Sequence, residues 1–259
     1  MLFAWLKARR RRKILAEPFP PAWLTILHEQ VRHYEVLPDA GQKKLRDAVQ
    51  ILLAEKEWEG CRGLEVTDEV RVTVAALAAI LILGFDDFYF DNVKTILIYP
   101  DEFVVKQETI VAGEATLVEE SDVLGEARRR GPTIIAWAEV RDNALRPGHG
   151  LNLVFHEFAH QLDMLNGAFD GTPDLPTREL RDRWAKLMNV EYRRLQRAEQ
   201  RGRRTLLDPY GATDPAEFFA VTTECFFDAP RAMREEHPEL YALFRDYYRQ
   251  DPAAWLDFD

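Results

Sequence analysis

His156-Glu157-Phe158-Ala159-His160 is the stretch of this 259-residue chain best equipped for chemistry. It lies in a segment with helical apolar spacing. On a helix, His156 and His160 project from one face, one turn apart, so their imidazoles can share a metal ion. Glu157 between them faces whatever fills the metal's open position and can act there as a general base. That donor set belongs to zinc-dependent hydrolases. The largely apolar residues 151–155 lead into the motif, and a strand candidate, Thr133 to Trp137, lies upstream. A sheet edge beside a metal-bearing helix is what holding an extended peptide requires.

Catalytic zinc usually keeps three protein ligands and reserves the fourth position for water. A third ligand is therefore needed, and the candidates are Asp163, Asp174, Glu217 and Glu224. Asp163 follows His160 by three residues; its short side chain suits orienting an imidazole better than direct ligation. Asp174 lies in Gly171-Thr172-Pro173-Asp174, without the tyrosine and glycine that complete a known third-ligand motif. Glu217 and Glu224 share a face of one expected helix, but seven residues separate them by roughly 10 Å of rise, too far to share one ion easily. Glu217 also fits a second role. Asp214-Pro215-Ala216-Glu217 reads as an N-cap, a proline at the first helical position and a capping glutamate. Spacing alone leaves capping and ligation equally open.

These residues need elements to carry them. Pro18-Phe19-Pro20-Pro21 marks the start of the fold, after a tail over residues 1–17. Helical patterning runs from Ala22 to Glu57, interrupted near Pro38-Asp39, and Trp58 to Gly63 reads as a turn-rich link. Thr67, Asp68 and Glu69 open a helix whose all-round apolarity marks it as central; Gly84 can end it. Lys94 to Tyr99 and Phe103 to Lys106 read as strands, residues 107–131 as a mobile loop, and Thr133 to Trp137 as another strand. The motif helix begins after Pro147-Gly148-His149-Gly150 and stops at Asn166-Gly167. Further helices follow over Thr177 to Gln200, Asp214 to Ala229 and Pro238 to Tyr248. The expected fold class is α+β: mainly helical, with a small mixed sheet beside the motif helix, a helical part over 18–92 and a catalytic core over 93–259 of one domain.

The net charge of −10 becomes −16 once the six cations among residues 1–13 are set aside, so the body disfavours nucleic-acid binding. Two cysteines, Cys61 and Cys225, make no disulfide framework, and the longest apolar run, Val72 to Leu83, is too short to span a bilayer. A cytoplasmic protein is expected. The basic tail reads as solvated, with weak contact to anionic lipid or an acidic partner as the alternative.

The run Tyr210-Gly211-Ala212-Thr213-Asp214-Pro215-Ala216-Glu217-Phe218-Phe219-Ala220-Val221, followed by Glu224-Cys225-Phe226-Phe227, resembles the Mlc titration factor A family of zinc peptidases. So do His156 to Gly167, and Leu97-Ile98-Tyr99-Pro100 ahead of Phe103-Val104-Val105. The Tyr and Glu-Phe-Phe-Ala segment is also similar to the catalytic domain of anthrax lethal factor. The likeness covers most of the chain after the basic tail. It implies one Zn2+ per chain, Glu217 as third ligand, Tyr210 as an active-site tyrosine and aminopeptidase-like activity. It further implies a partner, a glucose-responsive transcriptional repressor called Mlc. With His156, His160 and Glu217 on zinc, Glu157 would work on the activated water, and Tyr210 would stabilise the oxyanion. Asp163 and Glu224 remain for supporting roles around the ligands. The rival reading is a binding protein that sequesters a regulator around a structural or vestigial zinc.

Overall fold

The computed structural model describes residues 2–101 and 131–256, the side chains of residues 2–4 excepted. The strand expected over Phe103 to Lys106 and most of the loop after it lie outside the described residues.

The centre of the fold is α5 (Asp68–Leu81). Thr67 caps it by accepting the Val70 N–H, and every residue from Val72 to Leu81 is buried. Uniform apolarity suits a helix that is covered on all sides. α2 (Pro21–Gln30) and α4 (Asp39–Glu55) pack on it, with the short α3 (Arg32–Val36) between them in sequence. Pro38 breaks the pattern where expected, because the residue preceding a proline is driven out of helical geometry.

Among the described residues the sheet has three strands, in the order β1 (Glu57–Gly60), β2 (Thr95–Tyr99), β3 (Thr133–Ala136). Both described pairings are parallel, with Glu57 opposite Thr95 and Ile96 opposite Thr133, where a mixed sheet is expected from sequence. α5 lies in the crossover that parallel neighbours require between β1 and β2. β1 replaces the expected turn-rich link. Its four residues are mostly exposed and carry little strand preference; pairing with β2 makes them a strand, through bonds such as Cys61 N–H to the Ile98 carbonyl (2.8 Å). A further helix absent from the sequence reading, α6 (Trp137–Leu145), follows β3 directly.

The N-terminus also differs from expectation. Leu2–Ala16 forms a helix, α1, docked on α4 rather than a solvated tail. Lys7 pairs with Asp91, Arg10 donates to the Ala54 carbonyl (3.0 Å), and a third cation is drawn into the body. Arg11 is buried, its guanidinium shared among Glu55 (2.8 and 3.2 Å), Asp91 (2.6 Å) and Asp87 (3.0 Å), and it stacks over the Tyr89 ring.

The motif helix α7 (Leu153–Asp163) rests on α5 and β3 and packs most extensively against α9 (Pro215–Asp228), almost all of which is buried. α8 (Arg178–Glu199), α10 (Pro230–Glu236) and α11 (Pro238–Tyr248) complete the C-terminal half. There Phe219 of α9 packs ring on ring with Trp184 and Phe244, and Trp184 with Tyr247.

Candidate metal centre

The site is built where α7 and α9 cross. α7 starts at Asn152, whose side chain accepts the Phe155 N–H (3.1 Å). The backbone leading into it is held by α9: Asp228 accepts the N–H groups of Gly148 (2.9 Å) and Gly150 (2.7 Å), and Glu224 accepts that of Asn152. The helix ends at a 3-10 turn, Met164–Asn166, and Gly167 with φ of 89°. A left-handed residue in that place favours glycine.

His156 and His160 face the same way, their rings 4.8 Å apart and nearly perpendicular. Across from them, α9 is capped by Asp214, whose own carboxylate accepts the N–H groups of Ala216 (2.8 Å) and Glu217 (3.0 Å). The Glu217 side chain turns inward instead. Its Oε2 lies 2.9 Å from His156 Nε2 and 3.4 Å from His160 Nε2, and the two Nε2 atoms are 3.2 Å apart. Ligand atoms on a tetrahedral zinc, with bonds of about 2.0–2.1 Å, stand about 3.3–3.4 Å from one another. The triangle formed by His156, His160 and Glu217 has edges close to that length, so the residues present fit a metal of this kind.

Electrostatics agree with a cation at this point. Burial works against charge on His156, yet Glu217 and Glu224 outweigh it and lift the imidazole to about 10. Burial works against Glu217 too, but His156 and His160 hold its carboxyl far below the usual range. Two carboxylates around an imidazole demand positive charge, which a proton or a metal ion can supply. A metal displaces the Nε2 proton, so the raised value reports the field in the metal-free protein.

Glu217 and Glu224 thus meet the same ring from opposite sides. His156 Nδ1 donates to Glu224 Oε1 at 2.7 Å, and the imidazole spans the rise between the two glutamates. Asp163 takes another position. One of its carboxylate oxygens accepts the Gly171 N–H (2.9 Å), while the other, and His160 Nδ1, have no hydrogen-bond partner among the described residues. Burial pushes its carboxyl up to about 7. Asp174 is exposed and does not belong to the converging group of donors, and His149 sits exposed on the lead-in loop. Glu157 is half-buried beside His156 and adds to the negative field there. Tyr210 stands on a 3-10 turn, Pro209–Ala212, anchored by its N–H to Asp208 (2.7 Å). Its ring centre is 6.0 Å from that of His156, and the residue is 53% exposed.

Four supporting residues escape sequence reasoning. Asn152 and Asp228 hold the lead-in to α7, Phe169 packs on the His160 ring at 5.0 Å, and Gly171 lets the following loop close on α9. At Gly171 φ is +75°, and a Cβ would come within 2.1 Å of the Pro215 carbonyl oxygen. Asn152 alone carried a local signal, a capping residue directly ahead of the motif helix.

Comparison with known proteins follows the same lines. An uncharacterized protein of Synechocystis is 39% identical over 246 residues, covering 94% of this chain and 89% of the relative. Mlc titration factor A of Edwardsiella ictaluri is 34% identical and that of Serratia proteamaculans 33%, each over 225 residues, with 85% of this chain and 84% of the relative covered. A family model described as glucose-regulated metallo-peptidase M90 matches residues 5–249, a span that contains every residue of the site, and the chain belongs to that family.

Proposed function

We propose that this protein is a zinc-dependent metallopeptidase, holding one zinc ion per chain on His156, His160 and Glu217. The observation that carries the reading is the triangle of three donor atoms, with edges of 2.9, 3.2 and 3.4 Å, beside a glutamate in the general-base position of the motif. Bound there, zinc would supply a Lewis acid that makes water nucleophilic near neutral pH and polarises the scissile carbonyl. Glu157 takes the proton of the attacking water and delivers it to the leaving amine. Tyr210 donates its hydroxyl hydrogen to the developing oxyanion. Glu224, accepting from His156 Nδ1, leaves the Nε2 on the side of Glu217, where its lone pair would be free to bind a metal. β3, the outer strand of the described sheet, packs against the motif helix, where an edge strand would hold an extended peptide. Aminopeptidase-like trimming and a cytoplasmic setting complete the proposal; both cysteines are free thiols, as a reducing compartment requires.

The enterobacterial relatives bear the name Mlc titration factor A, and on that name we assign a second role: binding a repressor of the Mlc kind. Glu157→Gln tests both. The variant should keep about one zinc per chain, lose hydrolysis of chromogenic peptides and still bind the repressor. Full hydrolysis by the variant refutes the catalytic assignment. Zinc retained undiminished in Glu217→Ala refutes the third ligand and points to Glu224 or Asp163. Loss of repressor binding in Glu157→Gln would tie the two roles to one surface.

A further inference from the structure

The outward face of α1 has no part in the metal centre. Arg11 on its inner face is locked to three carboxylates, so the helix presents its other face from a fixed position. That face carries Trp5 and Leu6, 52% and 46% exposed, next to exposed Arg9, Arg10, Arg12 and Lys13. Arg9 lies 5.5 Å over the Trp5 ring. Beside it, between α1, the end of α4 and the start of β2, opens a cleft of about 400 Å3 bordered by Lys7, Arg10, Lys56 and Lys94.

The carboxylates on the rim of this cleft are already committed. Glu55 and Asp91 hold Arg11, and Asp91 also pairs with Lys7. Lys56 is buried, gives one N–H to the Phe90 carbonyl (2.7 Å), and is pulled down to about 8 by burial despite Asp91 and Glu55. A desolvated ammonium with donors to spare is where an anion gains most.

We propose that this face docks on the surface of an anionic phospholipid bilayer, with Trp5 and Leu6 seated at the headgroup boundary and a lipid phosphate in the cleft. An exposed tryptophan and leucine ringed by arginines match an interface that is apolar below and anionic above. The cations are spread along the helix rather than converging on a point, which suits phosphates distributed over a plane. The remaining charge of −16 repels the bilayer everywhere else and so fixes the orientation. The contact is peripheral, since no described helix is long and apolar enough to cross a membrane.

Co-sedimentation of the full chain at low salt, with phosphatidylcholine vesicles containing or lacking phosphatidylglycerol, tests the assignment. Phosphatidylglycerol should raise the bound fraction about tenfold or more, and Arg9→Glu combined with Arg12→Glu should remove that gain. Trp5→Ser with Leu6→Ser should weaken binding and abolish quenching of tryptophan fluorescence by brominated lipid. An unchanged melting temperature and metal content show that each variant is folded. Equal binding to both vesicle types, or full binding by the charge-reversed variant, overturns the proposal. So does saturable binding of glycerol phosphate or polyglutamate without vesicle binding, which would assign the face to a soluble anion or an acidic protein.

Discussion

Glu224→Gln isolates the support of the metal centre from its ligands. Glu224 is buried at 5% exposure and has two jobs: one oxygen accepts from His156 Nδ1 at 2.7 Å, the other from the Asn152 N–H. Glutamine can keep one of these contacts, because one oxygen becomes an N–H2 donor that must face either the ring N–H or the backbone N–H. Losing the carboxylate behind a ligating histidine costs roughly 10–100-fold in metal affinity, or about 1.4–2.7 kcal/mol. A second effect opposes it. Glu224 is among the groups that lift the metal-free imidazole to about 10, so without it a proton competes less with the metal. The net loss should therefore fall near about tenfold at neutral pH, growing toward higher pH where the proton no longer competes. Separately, the unpaired buried donor should cost the metal-free fold about 1–3 kcal/mol. Zinc competition against a chromogenic chelator between neutral and alkaline pH, with thermal melts of the metal-free protein, measures both. Wild-type zinc affinity across that range would refute the idea that Glu224 sets the ring.

Tyr210→Phe should lower kcat by about 10–100-fold with zinc content unchanged, because an exposed hydroxyl is a weaker oxyanion donor than an enclosed one; a change confined to KM would place the tyrosine in binding alone. Arg11→Met should lower stability by about 1–3 kcal/mol and expose the α1 arginines to trypsin, the partial exposure of Asp87 and Asp91 keeping the cost below that of a fully buried pair; an unchanged melt and cleavage pattern would contradict docking of α1. His33 and Asp228 give opposite pH dependence. Burial holds the His33 imidazole at about 3 despite its bond to the Phe227 backbone, so its contribution is present above about 6.5 and lost as pH falls. Burial lifts the Asp228 carboxyl to about 6 despite the Gly150 and Gly148 N–H groups, so its contribution is present below about 4 and lost as pH rises. Urea midpoints from about pH 4 to 6 should therefore become less acid-sensitive in His33→Gln and more so in Asp228→Asn; wild-type slopes in both would refute these assignments.

Elements whose cause is local were legible in the sequence. Thr67 ahead of an unbroken apolar run announces α5, and Asp214-Pro215 announces α9. The two histidines of the motif share a face because helix geometry leaves no other outcome. What sequence could not show depends on distant partners. Glu57-Trp58-Glu59-Gly60 becomes a strand only because β2 lies beside it. Arg11 is indistinguishable along the chain from Arg10 and Arg12, and only Glu55, Asp87 and Asp91 single it out. Glu217 stood between capping and ligation because both uses share one spacing. Asp214 takes the cap with its own carboxylate, which leaves the glutamate side chain to face the imidazoles.

Surface connections ordinarily tolerate changes in length, and residues 147–151, with His149 and Leu151 exposed, look like one. Three of the backbone N–H groups between 148 and 152 are nevertheless pinned to Asp228 and Glu224, and Glu224 also grips the ring of His156. One inserted residue would move the start of α7 out of register with the helix that supplies the third donor. Insertions should therefore be barred from this short loop in any descendant that keeps its metal, and substitutions at 152 and 224 should combine non-additively, as changes within one network do.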